Sequence, residues 1–376
     1  MKAAVVILNW NGIHFLEKYL PILIEHTPAS TGTIIVADNG STDGSIKMLR
    51  ERFSQVQLIE FDRNYGFTGG YNRALAQIEA DYYVLINSDI RVSAGWLDTI
   101  LEFMENNAGA DICMPKILSE YHHEQIHSIP DSATANNNSC KKEGDPKDQY
   151  EVFEYAGACG GFIDCYGFPF CRGRILSHVE PDRGQYDTPM EIFWASGACM
   201  VVKSNVWREL GGLDESFFAH MEEIDFCWRA KLLGHEVWAV PQSTVYHVGG
   251  GTLPNNSPRK LYLNYRNNLL MLYKNLPYRE DDNGALIRRN FFLFKRMCID
   301  GLSGIAYLLQ GKWQFFKAVI NAHSDYRKMK GAAKISPRLI SYTNASSRNL
   351  SGAYDKSIIL KYFTGKREFS KLNIRG

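Results

Sequence analysis

Residues 3–12 read AAVVILNWNG, an apolar run that stops at polar residues and a glycine. Such a run, bounded by a turn signal, is typical of a short buried strand. The pattern recurs up to about residue 115, because β-branched runs alternate with amphipathic stretches. The predicted strands are Ala3–Leu8, Gly32–Ala37, Gln57–Glu60 and Tyr82–Ile86, and the predicted helices are Phe15–Glu25, Ser45–Glu51, Gly69–Gln77 and Ala94–Asn106. This alternation predicts an α/β protein with a mostly parallel sheet, whose ligands gather at the carboxyl ends of the strands.

The composition is that of an ordinary folded protein rather than a disordered or fibrous one. The chain has 376 residues, of which 45% are apolar and 22% charged, and this length predicts about two to three domains. Its eight cysteines include no C-x-x-C pair, so the sequence predicts no zinc ribbon and fits a reducing compartment. No apolar run reaches the roughly 18 residues of a membrane-spanning helix, and the first run is too short for a signal peptide. We therefore expect a cytoplasmic protein.

Charge is distributed unevenly along the chain. Residues 1–270 contain 22 Lys and Arg against 34 Asp and Glu, whereas residues 271–376 contain 20 against 7. Within the basic part, Leu286–His323 mixes aromatic and basic residues with helical periodicity. This is typical of helices that lie peripherally on an anionic membrane surface. The same pattern fits helices that pack on the main domain, and the sequence leaves both interpretations open. No recognised nucleic-acid-binding module accompanies the basic part, so we expect no nucleic-acid partner.

The middle of the chain changes character. Residues 118–155 are rich in Asn, Ser, His and Lys and predict a long polar loop or hairpin insertion. Residues 156–190 are rich in Gly, Pro and aromatic residues and predict turns and short strands around a site. Regular structure returns with a predicted strand over Phe193–Val202 and predicted helices over Ser204–Leu210 and Met221–Leu233.

These patterns predict two regions. The first is a main domain over residues 1–270, in which residues 118–190 form an insertion. The second is a basic, amphipathic helical region over residues 271–376.

Polar residues follow several of the predicted strands. The second strand leads into DNGSTDGS, where Asp38 would accept hydrogen bonds from ribose hydroxyls or a base. The same letters also fit a plain turn that caps the next helix. The third strand leads into NYGFTGGYN at residues 64–72, a Gly-rich loop before a helix whose free N–H groups can face a phosphate. After the fourth strand, Asn87 and Asp89 share one face, and oxygen ligands are what Mg²⁺ or Mn²⁺ require.

An acidic cluster and a histidine supply further candidates. Glu222, Glu223 and Asp225 fall at a predicted helix start, and such a cluster is costly to bury without partners. The alternative is structural, because glutamates favour a helix N-terminus and Asp225 can pair with Arg229 four residues later. His247 ends a later strand before a glycine run, where it would complete a metal site with an acid. The first strand is not followed by G-x-G-x-x-G, which argues against a nicotinamide or flavin enzyme.

Taken in order, these motifs resemble those of the family 2 glycosyltransferases of the GT-A fold, and more narrowly their rhamnosyltransferase-like branch, over roughly residues 1–270. The resemblance implies a nucleotide-diphospho-sugar transferase fold, with the C-terminal region outside the shared core. It also implies that the insertion over residues 118–190 lies on the acceptor side, and that the membrane met by the basic helices would be the inner face of the plasma membrane. It implies Glu223 as the catalytic base, and Asp89 and His247 as ligands of Mg²⁺ or Mn²⁺. The residues that it implies for nucleotide-sugar binding are Asn9, Asp38, Asn64, Gly66, Phe67, Asn72, Asn87, Ser88 and Glu222.

The chemistry implied by the resemblance is inverting, metal-dependent sugar transfer. The donor would be dTDP-rhamnose or a UDP-sugar, and the acceptor a hydroxyl of a glycan or lipid-linked glycan in cell-surface polysaccharide synthesis. Two positions depart from the family pattern, since Asn87 replaces the first acid of D-x-D and Glu223 replaces an aspartate. An inactive scaffold that binds a nucleotide sugar is therefore an alternative. A sugar-phosphate nucleotidyltransferase is another, but residues 9–14 lack its glycine-rich basic loop.

Overall fold

The computed structural model describes residues 2–127, 150–249, 257–276, 283–331, 333 and 350–374. In this part of the chain the strands form a nine-stranded main sheet and a four-stranded small sheet. The strands of the main sheet are β1 (Ala3–Asn9), β2 (Gly32–Asp38), β3 (Gln57–Glu60), β4 (Tyr82–Ile86), β5 (Ile90–Val92), β6 (Ala110–Ser119), β11 (Met190–Glu191), β12 (Cys199–Lys203) and β13 (Glu236–His247). Those of the small sheet are β7 (Gly161–Ile163), β8 (Pro169–Cys171), β9 (Arg174–Ile175) and β10 (His178–Val179).

The main sheet is mostly parallel, as the sequence predicts. Its order is β11-β13-β6-β12-β4-β1-β2-β3, and β5 pairs with β13. Strand β1 runs parallel to β2 and β4, and β13 runs parallel to β6. Strand β12 is antiparallel to both of its neighbours, β4 and β6. The carboxyl ends of β1, β2, β4 and β13 therefore lie along one edge of the sheet.

Helices cover the sheet on both faces, which explains why all residues of β1 except Leu8 are buried. The helices of the main domain are α1 (Ile13–Glu25), α2 (Ser45–Arg52), α3 (Gly66–Leu75), α4 (Trp96–Asn106), α5 (Glu120–His127), α6 (Ser204–Leu210) and α7 (Glu222–Leu232). The four predicted N-terminal strands and their helices are confirmed, with helix ends that move by up to three residues.

Two predictions in the middle of the chain are wrong in part. Strand β12 begins at Cys199, and residues 193–198 are not a strand, because the chain turns there before it joins β4. Residues 120–127 form helix α5 and residues 118–119 end β6, rather than starting a polar loop. The rest of the predicted insertion up to residue 149 lies outside the described residues.

Strand β6 has no counterpart among the predictions because it contains Pro115 and Lys116, which rarely occupy a central strand. The register between β6 and β13 shifts between Val240 and Thr244, directly after the pair Pro115–Val240. Such an irregularity accommodates a proline. Lys116 is buried with Asp182 at 2.7 Å and Asp187 at 2.5 Å, so its charge is compensated.

The C-terminal part is helical and packs on the main domain. Its helices are α8 (Pro258–Asn275), α9 (Asn283–Leu309), α10 (Trp313–Lys330) and α11 (Ile358–Phe363). Helix α8 runs through residue 270 and lies between α7 and α10. Residues 350–374 return to the small sheet, where the Tyr354 N–H donates to the Ile163 carbonyl and the Phe369 ring packs on Phe162. Among the described residues, no helix is both long and apolar enough to cross a bilayer.

Candidate functional site

Asn9 and Asp38 meet at the carboxyl ends of β1 and β2. Asn9 Nδ2 donates to Asp38 Oδ2 at 2.9 Å and to Ser41 Oγ at 3.2 Å, while the Ser41 N–H donates to Asp38 Oδ1 at 2.8 Å. Both side chains are fully buried, and Asn9 Oδ1 has no hydrogen-bond partner among the residues that the structure describes. A buried amide oxygen without a partner is a place where a bound group can donate.

The Gly-rich loop is fastened to the same edge by Asn39. Asn39 Nδ2 donates to Asn64 Oδ1 and to the Gly66 carbonyl, both at 3.1 Å, and the Gly66 N–H donates to Asn64 Oδ1. The Phe67 N–H donates to the Phe218 carbonyl at 2.9 Å. Asn64 therefore shapes the loop, and Phe67 joins the loop to the segment before α7.

The hydrogen bonds of Asn72 go to the segment before α7. Its Nδ2 donates to the Leu213 carbonyl at 2.8 Å, and its Oδ1 accepts from the Leu213 N–H at 2.9 Å. Both ends of the amide are thus used to hold the chain before α7. Its predicted contact with the nucleotide sugar has no support in these contacts and stays a prediction.

Residues 87–89 lie between β1 and β12. The Asn87 N–H donates to the Ala198 carbonyl at 3.0 Å. A Cβ at Gly12 would come within 2.6 Å of Asn9 Oδ1 and 3.3 Å of Ser88 Oγ. Glycine at position 12 therefore lets Asn9 and Ser88 approach from two strand ends.

Asp89 and His247 form a buried pair. Asp89 Oδ1 lies 3.2 Å from His247 Nε2, and Glu154 Oε2 lies 3.5 Å from His247 Nδ1. Burial by itself disfavours the charged imidazole, but Asp89 and Glu154 outweigh it and raise the pKa of His247 to about 10. The imidazolium offsets, in turn, the effect of burial on Asp89 and lowers its pKa. The three groups therefore form a compact charged centre at the ends of β4 and β13.

Glu222 and Glu223 begin α7. Glu222 is buried and Glu223 half-buried, and in the described part of the chain the Oε2 atom of each is enclosed without a hydrogen-bond partner. Burial raises the pKa of Glu223 to about 7, and burial with the Glu223 charge raises the pKa of Glu222 well above its usual range. Asp225 instead pairs with Arg229, with Oδ2 2.8 Å from Nε, as the structural interpretation predicts.

The loop that leads into α7 is held in an unfavourable backbone conformation. Phe218, His220 and Met221 have φ values of 65°, 69° and 74°, which non-glycine residues seldom adopt. Asn267 Nδ2 of α8 donates to the carbonyls of Phe217, Ala219 and His220 at 3.0, 2.8 and 2.7 Å. The C-terminal helix therefore fixes the position from which Glu222 and Glu223 project.

Three residues of this site are absent from the sequence prediction. Glu154 lies in the segment that the sequence predicts to be a polar insertion. The largely apolar stretch FEYAGACGG around it is a signal of a buried acid. Gly197 lies where a Cβ would be 3.3 Å from Phe67 and 3.7 Å from the Glu223 Cβ, so its lack of a side chain keeps space beside the acid. Asn267 has no local signal, because its partners are about 50 residues away.

The chain is similar to known glycosyltransferases. Residues 4–164 match the family model described as glycosyl transferase family 2. An N-acetylglucosaminyl-diphospho-decaprenol L-rhamnosyltransferase of Mycobacterium tuberculosis is 24% identical over 254 residues, 65% of this chain and 75% of that protein. The low-salt glycan biosynthesis hexosyltransferase Agl10 of Haloferax volcanii is 49% identical over 203 residues, so this chain spans about half of that relative, 52%. The crystal structure of GalNAc-T7 with UDP, GalNAc and Mn²⁺ has a similar fold, with a TM-score of 0.51 and 16% identity over 73% of this chain and 48% of that one.

Proposed function

We propose that this chain, whose residues 4–164 match the family model for glycosyl transferase family 2, transfers a sugar from a nucleotide-sugar donor to an acceptor hydroxyl with inversion at the anomeric carbon. The observation that carries the proposal is Glu223. Its Oε2 is enclosed without a hydrogen-bond partner from any described residue, beside the space left by Gly197. Burial raises its pKa to about 7, near the pH at which a general base works best.

One displacement accounts for the transfer. The acceptor oxygen bonds to the anomeric carbon from one side, while the bond between that carbon and the donor diphosphate oxygen breaks on the other. The acceptor proton passes to Glu223, and the electron pair of the broken bond leaves with the nucleoside diphosphate. A positioned base contributes about 10²–10⁴-fold to such a step. No covalent intermediate is required, so the configuration inverts.

The donor would lie along the edge formed by Asn9 and Asp38. Their side chains are buried against each other at the ends of β1 and β2, the edge where parallel sheets bind nucleotides. The unpartnered Asn9 Oδ1 supports this placement. We propose dTDP-rhamnose or a UDP-sugar as donor, in view of the rhamnosyltransferase relative and of the UDP in the GalNAc-T7 structure.

Asp89 and His247 fit a divalent cation. Their facing atoms are 3.2 Å apart and buried, about the spacing of two ligands that share an ion. Glu154 lies on the other imidazole nitrogen, as the carboxylate that orients a metal-binding histidine does. Bound there, Mg²⁺ or Mn²⁺ would supply positive charge for the leaving diphosphate.

The exposed face of helix α9 supports the proposal that the acceptor lies at a membrane surface. Seven residues on one of its faces are exposed and recur every three or four positions, namely Ile287, Phe291, Phe294, Cys298, Leu302, Ile305 and Leu309. Phe294 is 62% and Leu309 84% exposed. Lys295, Lys312 and Lys317 are exposed nearby. An apolar stripe flanked by lysines suits the interface of an anionic bilayer, and the relative's name includes a decaprenol diphosphate. We propose a lipid-linked glycan as acceptor.

The test is nucleoside diphosphate release from UDP-, dTDP- and GDP-sugars, with Mn²⁺ or Mg²⁺ and with EDTA. We expect one donor to be turned over, and we expect EDTA or Glu223→Gln to abolish the turnover. The matched control is Glu79→Gln, which changes an exposed glutamate that is distant from Glu223 in the sequence. This variant should leave the rate unchanged. Binding without turnover of any donor, even with lipid-linked acceptors supplied, would favour the inactive scaffold instead.

A further inference from the structure

A second cluster of side chains of the types that bind metal ions lies outside the proposed active site. His123 and His127 are four residues apart on α5, so they share one face of the helix. Glu151 faces both, with its Oε1 2.6 Å from His123 Nδ1 and 3.4 Å from His127 Nε2. One ligand atom from each of the three residues lies within 4.8 Å of the others. Two imidazoles and a carboxylate are a ligand set typical of zinc sites that keep a position for water.

The other charged residues of α5 have partners elsewhere. Glu120 pairs with Arg91 at 2.8 Å, and Glu124 pairs with Lys18 at 2.5 Å. Among the described residues, the two histidines are the side-chain partners of Glu151, and its Oε2 is enclosed there without a hydrogen bond. An enclosed carboxylate oxygen without a donor costs free energy unless a cation approaches it.

The geometry points to a zinc site formed by His123, His127 and Glu151. Ligands of a tetrahedral Zn²⁺ at roughly 2.0–2.2 Å stand about 3.3 Å apart. The distances from Glu151 Oε1 to the two nitrogens are 2.6 and 3.4 Å, and all three ligand atoms lie within 4.8 Å of one another, so side-chain rotations would bring them to that spacing. His127 is 61% exposed on its side chain, so an ion can enter from solvent and keep a water ligand. Mg²⁺ suits the site poorly, because it prefers oxygen ligands.

The site would fasten two segments that flank the proposed active site. The His123 ring packs 4.3 Å from the Tyr246 ring, which precedes His247. Glu151 lies three residues before Glu154, and the carbonyl of the intervening Val152 accepts from the Ser119 N–H of β6. The inference concerns an ion distinct from the one proposed at Asp89 and His247, and it does not depend on sugar transfer.

The experiment is a titration of the chelator-treated full chain with Zn²⁺ in the presence of excess Mg²⁺, followed by competition with a chromophoric chelator. We expect one tightly bound equivalent. His123→Ala and Glu151→Gln should each weaken it at least tenfold, whereas His122→Ala, the neighbouring histidine outside the cluster, should not. Asp89→Asn should also retain the equivalent. Loss in Asp89→Asn but not in His123→Ala would overturn the inference, as would the absence of tight zinc binding.

A second measurement does not depend on whether the variants fold. X-ray absorption of the Zn²⁺-loaded wild-type chain should show two imidazole ligands with oxygen ligands completing the shell. A spectrum with a single imidazole would place the ion at His247 and refute the assignment. Circular dichroism of each variant would separate the loss of a ligand from the loss of the fold.

Discussion

At the scale of single residues, the protonation of Glu223 determines the expected pH dependence of the transfer reaction. Burial raises its pKa to about 7, and a general base acts only as the carboxylate. As pH rises through about 7 the carboxylate fraction increases, so kcat/KM should climb up to tenfold per unit below that value and level off above it. The measurement is a pH profile of nucleoside diphosphate release at saturating metal. A flat profile from about pH 5.5 to about pH 8 would exclude Glu223 as the base.

Glu154 is expected to act on the metal through His247. Its Oε2 is 3.5 Å from His247 Nδ1, and the loss of such an outer carboxylate typically weakens metal binding about 10–100-fold. Glu154→Gln should therefore raise the metal concentration required for half-maximal activity, with most of the rate recovered at high metal. An unchanged metal requirement would show that Glu154 has only a structural role. Glu79→Gln is again the control.

At the scale of elements, α8 connects the C-terminal region to the proposed base. A single amide of Asn267 satisfies three carbonyls of the loop before α7. Asn268 donates in addition to the Gly167 carbonyl, and Asn275 to Asp225 Oδ1. Three buried asparagines on one helix therefore hold two loops and the first turns of α7. This arrangement explains why α8 has buried polar residues where an amphipathic helix would place apolar ones.

Asn267→Leu removes the amide N–H groups that donate to the three carbonyls of the loop before α7. We expect a loss of about 1–3 kcal/mol of stability, measured by denaturant unfolding. We also expect kcat to fall while the KM for the donor changes less. The reason is that the loop positions Glu223 and not the donor-binding residues at the carboxyl ends of β1 and β2. Asn264→Asp, a substitution at a half-buried asparagine of the same helix, is the control. Equal losses in kcat for both variants would argue against a positioning role for Asn267.

At the scale of the whole molecule, the charge asymmetry and the stripe of α9 act together. The basic region carries 20 Lys and Arg against 7 Asp and Glu, and each basic residue near an anionic bilayer contributes on the order of 1 kcal/mol. We therefore expect the protein to sediment with vesicles that contain anionic lipid, and to be released by salt.

The apolar part of that contact is tested by replacing two exposed rings. Phe291→Ser with Phe294→Ser should reduce vesicle binding at least tenfold, while Tyr121→Ser, an equally exposed ring on the main domain, should have no effect. Both variants should keep their turnover of a soluble donor in the absence of lipid. Failure of the wild-type chain to bind anionic vesicles at low salt would refute the membrane proposal.

The sequence leaves open whether the C-terminal helices pack on the main domain or lie on a membrane. In the structure, these two interpretations are compatible with each other. Helix α10 packs on α8, and Arg296 of α9 lies 3.5 Å from the Phe168 ring centroid. The opposite side of α9 remains exposed and apolar. Periodicity gives the spacing of the apolar residues, but it does not distinguish a face that packs from a face that remains open.

The sequence by itself determined the parallel sheet, the order of its motifs and the pairing of Asp225 with Arg229, because strand and helix periodicity and i,i+4 contacts are local properties. Only the tertiary structure decided which polar residues meet. It added Glu154 to the pair of Asp89 and His247 that the resemblance implied, directed the Asn72 amide to Leu213, and placed Asn267 against the loop before Glu223. These contacts connect residues far apart in the chain, so they depend on the strand order and on helix packing, which no local pattern records.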